Sequence, residues 1–369
     1  MTSVFLCGPL CHRPLLAVIL GQAAALSPAF VADRSAWLVD APGHVALRQK
    51  RGGKVEGAML EASAPEPTAR LAFYAKAIGL GAHAVTMTSA AATGRGIAYA
   101  LRAAKAEGEA WDAALWLAGH AALAVETAVE VMAAYGQTPP GRVQARLGSI
   151  MVRAASRLRA RAEPAPHSLR RAPADITVLA RRQPYAHFFA VEEYDLSFRR
   201  FDGTMSPVVT RAAFISTDAV TVLPYDPVRD RVLLVEQVRV GPFARGDLNP
   251  WHLEPIAGRI DPGESAEDAA RREAVEESGL TLGALLPVAR YYPSPGAKTE
   301  FLYSYVALTD LPDGTAGVFG VEHEAENIRG HLLGFDQAMA LIASGEVCTA
   351  PLVLTLLWLQ RERNRLRAM

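Results

Sequence analysis

Apolar and polar positions along this chain first alternate in short runs, then shift to helical spacing, then return to alternation. Over residues 1 to about 105 the runs are Ser3-Val4-Phe5-Leu6, Ala36-Trp37-Leu38-Val39, Lys54 to Leu60, Ala82 to Thr88 and Gly96 to Leu101. Bounded by Gly and Pro, they predict short strands and a small β-rich domain. From 106 to about 162 the period is helical. Asp112 to Tyr135 is Ala-rich with apolar residues at helical spacing, Gln137-Thr138-Pro139-Pro140-Gly141 breaks it, and Arg142 to Arg161 starts a second helix. Glu163-Pro164-Ala165-Pro166-His167 reads as a linker. Alternation resumes near 174. Strands are expected at Asp175 to Leu179, Phe188 to Phe198, Val208 to Phe214, Ala219 to Tyr225, Val232 to Val238, Arg290 to Tyr292, Thr299 to Leu308 and Arg329 to Leu333, followed by helices at Phe335 to Ser344 and Pro351 to Arg363. Asp226-Pro227-Val228-Arg229-Asp230 is a hairpin turn. The expected division is therefore 1–105, a helical connector and linker over 106–173, and 174–369, an α+β multidomain chain.

One stretch interrupts the strands, GRIDPGESAEDAARREAVEESGL from Gly258 to Leu280. Asp261-Pro262-Gly263 is a turn, Ser265 with Asp268 three residues on is a capping-box start, and Gly279 is a helix stop. On the helix between them Glu273 and Glu277 are four apart and Glu276 is three from Glu273, so three carboxylates share one side. Clustered carboxylates repel unless a cation is shared. Oxygen-only ligands at this spacing suit a hard ion such as Mg²⁺ or Mn²⁺. The bland alternative is a solvated face balanced by Arg271 and Arg272 through i,i+4 pairs.

The full spacing favours the first reading. Gly258, five residues, Glu264, seven residues, then Arg272-Glu273-Ala274-Val275-Glu276-Glu277-Ser278-Gly279-Leu280 resembles the complete signature of the Nudix hydrolases. The resemblance implies an α/β/α sandwich with a mixed sheet, and a diphosphate linked to some group X as substrate. Flanking residues sharpen it. Glu236-Gln237-Val238-Arg239, Pro250 to Gly258, Ser294-Pro295-Gly296 sixteen residues past Gly279, and Glu322 to Arg329 resemble the ADP-ribose pyrophosphatase branch. Membership of that branch would imply Mg²⁺-assisted hydrolysis of ADP-ribose to AMP and ribose 5-phosphate, with another nucleoside-diphosphate sugar, or a silent nucleotide-sugar-binding protein, as alternatives. Glu273 and Glu277 become the principal metal ligands, Glu276 a third, and the Ala257 carbonyl a further oxygen ligand. Glu264 would pair with Arg272 and hold the loop on the helix; Arg272 and Glu276 join the catalytic set. The general base falls in the downstream loop, Glu324 first and Glu326 second, with Glu322 and Glu300 competing. Arg239 is a candidate pyrophosphate clamp because a guanidinium matches phosphate oxygens in a fork. Glu254, Ser294, Pro295 and Gly296 would touch substrate. Phe198 or Phe201 is a weaker candidate for adenine stacking, since either aromatic is more often core. The branch also implies a homodimer through residues 185 to 215.

The first domain carries a fainter resemblance. Phe5-Leu6-Cys7-Gly8-Pro9-Leu10, Val55 to Leu60 and Leu71-Ala72-Phe73-Tyr74 together resemble the γ-glutamylcyclotransferase-like (AIG2-like) fold, a small β-barrel. In that family a Tyr-Gly-Thr/Ser-Leu loop holds substrate through backbone N–H groups and a later Glu moves the proton. Here Pro9 has no N–H, and the acid's place falls near Ala75, which cannot move a proton. A non-catalytic domain is expected. Proteins of this two-part layout are linked to tellurite resistance, but no residue here explains tellurite chemistry.

Composition adds exclusions. Lys+Arg and Asp+Glu both total 38, leaving no net charge to draw nucleic acid or an acidic membrane. The helix bearing Arg146, Arg153, Arg157, Arg159 and Arg161 is the one basic run. Leu147, Ile150, Met151 and Leu158 give it an apolar stripe, and it lacks aromatics for stacking bases, so packing against a neighbour is the favoured reading. The cysteines are three, Cys7, Cys11 and Cys348, too few and odd in number for a disulfide framework. No basic residue precedes the apolar run Val4 to Ala25, which His12, Arg13 and Pro14 interrupt, so neither an export signal nor a membrane helix is expected and the cytoplasm is preferred.

Overall fold

The computed structural model describes residues 3–39, 44–60, 65–101, 109–164, 168–170, 175–320 and 326–369. The chain divides into two compact units, Met1–Pro166 and His167–Met369.

In the first unit the elements run β1 (Ser3–Leu6), α1 (Arg13–Leu20), β2 (Leu26–Leu38), β3 (Val45–Leu60), α2 (Pro65–Ala77), β4 (Gly81–Ser89), β5 (Thr93–Ala100), β6 (Glu109–Ala110), α3 (Ala113–Gly119), α4 (Ala121–Ala133), α5 (Pro140–Gln144) and α6 (Leu147–Ala162). β1 pairs with β3 and β5, β5 with β4, β4 with β2, and β2 with β3 again. Five strands thus close into a barrel, which leaves β6 as an added edge on β2. Closure removes the exposed edges that an open sheet would present. The sequence pattern marks only the ends of the long β2–β3 hairpin, because Pro28 and the glycines at 52 and 53 interrupt its alternation.

Two helices of this unit are not signalled by the alternation. α1 buries Leu15, Leu16, Ile19 and Leu20, so the apolar run near the start of the chain becomes a strand followed by a core helix. α2 buries Leu71, Tyr74, Ala75 and Ala77. Both join α3, α4 and Ile150 of α6 in one core that includes Trp116 and Val131. The helices expected as a connector therefore belong to the first compact unit. Among the described residues no single helix is long and apolar enough to cross a membrane; α3 and α4 meet that test only jointly, bent by 67°.

The second unit begins with a three-stranded antiparallel sheet, β7 (Ile176–Ala186), β8 (Ala190–Phe198) and β9 (Val209–Ile215). Then come β10 (Ala219–Asp226), β11 (Arg231–Val238), α7 (Val240–Arg245), β12 (Trp251–Glu254), β13 (Ile256–Arg259), α8 (Ala266–Ser278), β14 (Leu285–Tyr291), β15 (Leu302–Leu308), β16 (Val318–Phe319), β17 (Ile328–Gly334), α9 (Phe335–Ser344) and α10 (Ala350–Arg367). The sheet order is β14-β15-β10-β11-β17-β16, with β12 on β11 and β13 on β10. It is mixed, because β10 and β15 run parallel while β14–β15 and β11–β17 run antiparallel. Side chains alternate across it. Val220, Val222 and Val235 face Ala269, Ala270 and Ala274 of α8, whereas Leu223, Tyr225, Val232 and Leu234 face Phe335 of α9 and Leu352, Leu356 and Leu359 of α10. The outcome is the expected three-layer α/β/α sandwich.

Candidate active site

The loop and helix that come after β13 are shaped by local rules. Ser265 caps α8, its hydroxyl accepting from the Asp268 N–H at 3.1 Å, and Gly279 ends it in the left-handed region at φ 67°. The buried stripe of α8 is alanine, so the helix lies close to β10 and β13. Gly258 on β13 completes that approach. A Cβ there would land on the Glu273 carboxylate, so only glycine leaves the carboxylate room.

Arg272 is the hub of the cluster. Its Nε and Nη2 donate to the two Glu264 oxygens at 2.9 and 3.0 Å, and Nη2 also reaches the Arg259 carbonyl at 2.9 Å. Its Nη1 donates to Glu273 at 2.6 Å and to Glu276 at 3.0 Å. Burial works against the Glu264 charge, but the Arg272 bonds and the Asp261 N–H at 3.0 Å hold its pKa below the usual value. Glu264 therefore fastens loop to helix.

Glu277 is only 2% exposed and accepts the Ala257 N–H at 3.0 Å. Burial pushes its pKa up to about 8, with neighbouring Glu273 and Glu326 adding and the Ala257 bond and Arg239 opposing. Burial likewise pushes Glu273 up to about 7, against Arg272 and with Glu276 and Glu326 adding. Two carboxylates held this way carry a deficit of positive charge. Among the described residues no three acid, thiol or imidazole groups already converge as an ion cage, because Glu273 and Glu276 turn toward Arg272. The donor set nonetheless fits a hard divalent cation: all oxygen, one helix face, with buried Glu277 and half-buried Glu273 short of positive charge.

Strand parity puts Arg239 on the α8 side, two residues past Gln237 and four past Val235. Its guanidinium donates to Glu254 at 2.9 and 2.5 Å, so the two substrate candidates form a pair. Glu326 lies within electrostatic reach of Arg239, Glu273 and Glu277. Glu324 and Glu322 fall outside the described residues. Ser294, Pro295 and Gly296 sit on a loop tied to β9: the Ser294 carbonyl accepts from Ala297 and Lys298, and Phe214 donates to the Ala297 carbonyl at 2.8 Å. Glu300 pairs with Lys298 at 2.7 Å.

Two features run against or beyond the sequence pattern. Phe198 and Phe201 are not core; Phe201 is 94% exposed. Arg259, inside the signature loop, lies 3.8 Å above the Phe188 ring and 5.3 Å from Phe189, which brings the β7–β8 turn against that loop. Nothing in the local sequence signals that contact, since its partners lie far apart along the chain.

The NUDIX domain family matches residues 216–350. With the sandwich, the glycine at 258 and the acids of α8 in place, the chain belongs to the Nudix hydrolase family. It is 38% identical over 193 residues to the ADP-ribose pyrophosphatase of Escherichia coli K12, covering 52% of this chain and 91% of that one. It is 35% identical over 188 residues to the ADP-ribose pyrophosphatase of Haemophilus influenzae, covering 50% and 86%. The GDP-mannose pyrophosphatase of Salmonella paratyphi A is 32% identical over 150 residues, covering 41% and 77%.

Proposed function

We propose that the second unit hydrolyses the pyrophosphate bond of ADP-ribose to AMP and ribose 5-phosphate, using Mg²⁺ or Mn²⁺. The observation that carries this reading is the acid pair of buried Glu277 and half-buried Glu273, short of positive charge, with Arg239 on the same side of the sheet. Glu273, Glu276, Glu277 and the Ala257 carbonyl would hold the cation. A cation there supplies neutralisation of the charge that builds on non-bridging phosphate oxygens. The chain's own groups do the rest. Arg239, partly exposed, clamps the diphosphate in a fork while Glu254 fixes its plane. Arg272 and Glu264 keep the loop and helix in register. A carboxylate of the loop after β16, Glu324 or Glu326, takes the proton from the attacking water. Ser294, Pro295 and Gly296 would contact the substrate.

The test is AMP release from ADP-ribose by the full chain with Mg²⁺, beside GDP-mannose and a γ-glutamyl dipeptide. Brisk metal-dependent AMP release supports the reading. Turnover of GDP-mannose in its place would keep the metal helix and transfer the substrate, a reading favoured by the resemblance to GDP-mannose pyrophosphatase. Release of 5-oxoproline from the dipeptide would overturn our view of the first unit as a non-catalytic γ-glutamylcyclotransferase-like barrel, which rests on Pro9 and on buried Ala75. The free, sparse cysteines support a cytoplasmic setting.

We further propose a homodimer built on the β7–β8–β9 sheet. Ile176, Val178 and Tyr185 of β7, with Phe188 and Val208 beside the strands, are each more than half exposed, apolar surface that a second copy would cover. The expected mass by sedimentation is twice 39.5 kDa. A single species at the monomer mass would refute it.

A further inference from the structure

The first unit contains a cavity of about 30 Å³, open on one side, between the barrel and helices α2, α4 and α6. Its floor includes Cys7, Leu15, Tyr74, Ile78 and Thr127, all buried. Half-buried Pro9, Leu147 and Met151 stand nearer the solvent side. Among the described lining residues there is no carboxylate, ammonium or guanidinium.

Thr127 is the informative residue. It is 4% exposed, and its Oγ1 has no hydrogen-bond partner. A buried hydroxyl on a helix ordinarily turns back to the carbonyl four residues earlier. Ser278 does so here, donating to Ala274 at 2.6 Å, and Thr355 does so to Pro351 at 2.7 Å. Thr127 instead faces the cavity unsatisfied. Tyr74, 3% exposed, lines the same cavity, and burial raises its pKa. Leaving the Thr127 hydroxyl unpaired costs stability that a valine of the same shape would avoid. Its presence is explained if something else completes its bond.

We propose that this cavity is a binding site for a small neutral molecule with a hydroxyl or amide end on an apolar body. The end group bonds Thr127 Oγ1 and the Tyr74 hydroxyl, and the body lies along Leu147 and Met151. Among the described lining residues only His44 could offset an ion's charge, so a neutral ligand fits the site better than an ion that would lose its water there. About 10 to 15 Å³ of such space admits one water, so the enclosed part takes the polar end of the ligand and the open side takes its body. The site lies wholly within the first unit and is independent of the diphosphatase reading.

Ligand-observed saturation-transfer NMR on the full chain tests this, with phenol as the probe, toluene as its apolar match and benzoate as its charged match. Phenol is expected to receive saturation at millimolar concentration, toluene to bind more weakly and benzoate not to bind. Thr127→Val and Tyr74→Phe, each keeping the native shape, should each weaken phenol about fivefold, the worth of one neutral hydrogen bond. Met151→Trp, placed toward the open side, should block phenol even if either buried variant proves unstable. No transfer to phenol, equal transfer in the hydroxyl-free variants, or binding of toluene or benzoate as tight as phenol would overturn the proposal and leave a cavity filled by water.

Discussion

Glu277→Gln is expected to lower the rate of AMP release from ADP-ribose by about a hundredfold to a thousandfold, the range seen when one preorganised electrostatic group is removed from a transition state. The substitution keeps the shape and leaves an amide oxygen to accept the Ala257 N–H, so the fold should survive. A variant retaining more than a tenth of the activity would remove Glu277 from the metal set. The same variant has a second signature without metal. The native-state pKa of Glu277 is raised above its unfolded value, so the folded chain holds a proton that the unfolded chain has released. That contribution to stability is present below the unfolded pKa and is lost as pH rises toward about 8. In EDTA the native protein should therefore lose stability more steeply than Glu277→Gln between pH 5 and pH 8. Mg²⁺ should restore the native chain most at the alkaline end, where Glu273 and Glu277 are both ionised. Parallel stability curves for the two proteins, with and without metal, would contradict the charge deficit at this site.

The acidic helix α8 is legible in the sequence because its cues are local. Ser265, Asp268 and Gly279 mark its ends, and the spacing of Glu273, Glu276 and Glu277 sets its acidic side before any tertiary contact is known. β10, β11 and β15 are legible for the same reason, each a largely apolar run bounded by turns; β12, β13 and β16 are too short to show as alternation, and β14 starts at Leu285, ahead of the expected Arg290. The features that do not show are set by partners distant in the chain. Arg239 reads as a free clamp until β12 brings Glu254 beside it. Phe188 reads as one more strand aromatic until Arg259 lies over it. In the first unit α1 and α2 are hidden because the strand-like runs and breaks around them dominate the pattern, and α2 in particular is only weakly amphipathic, with Pro67 among its buried residues. The unpaired Thr127 hydroxyl cannot be read at all, since a sequence shows a hydroxyl but not whether it is satisfied.

Glu130→Ala is expected to destabilise the first unit by about 3–5 kcal/mol, measured by urea denaturation, because it strands a guanidinium in the core. Of the arginines of α6, which resemble a basic surface in the sequence, Arg153 turns inward, Arg157 is half-buried and Arg161 stays exposed. Arg153 is 1% exposed and reaches Glu130 at 2.5 Å. Arg157 joins Glu130 at 3.2 Å and Glu126 at 2.6 Å, and Arg161 closes on Glu126 at 2.6 Å. Two glutamates of α4, one turn apart, thus hold three arginines of α6 at one-turn intervals, a ladder that fixes the register of the two helices. Desolvation offsets most of what the buried pair gains, so its net worth is far less than the cost of breaking it. Replacing both partners separates those two quantities. Glu130→Leu with Arg153→Met removes the charges together and fills the space, and should recover most of the loss suffered by Glu130→Ala. If the double replacement is as unstable as the single one, the ladder contributes net stability and not register alone. If Glu130→Ala costs less than about 1 kcal/mol, in the range of exposed pairs, then Arg153 escapes to water and the helices are held by Ile150 and Val131 without it.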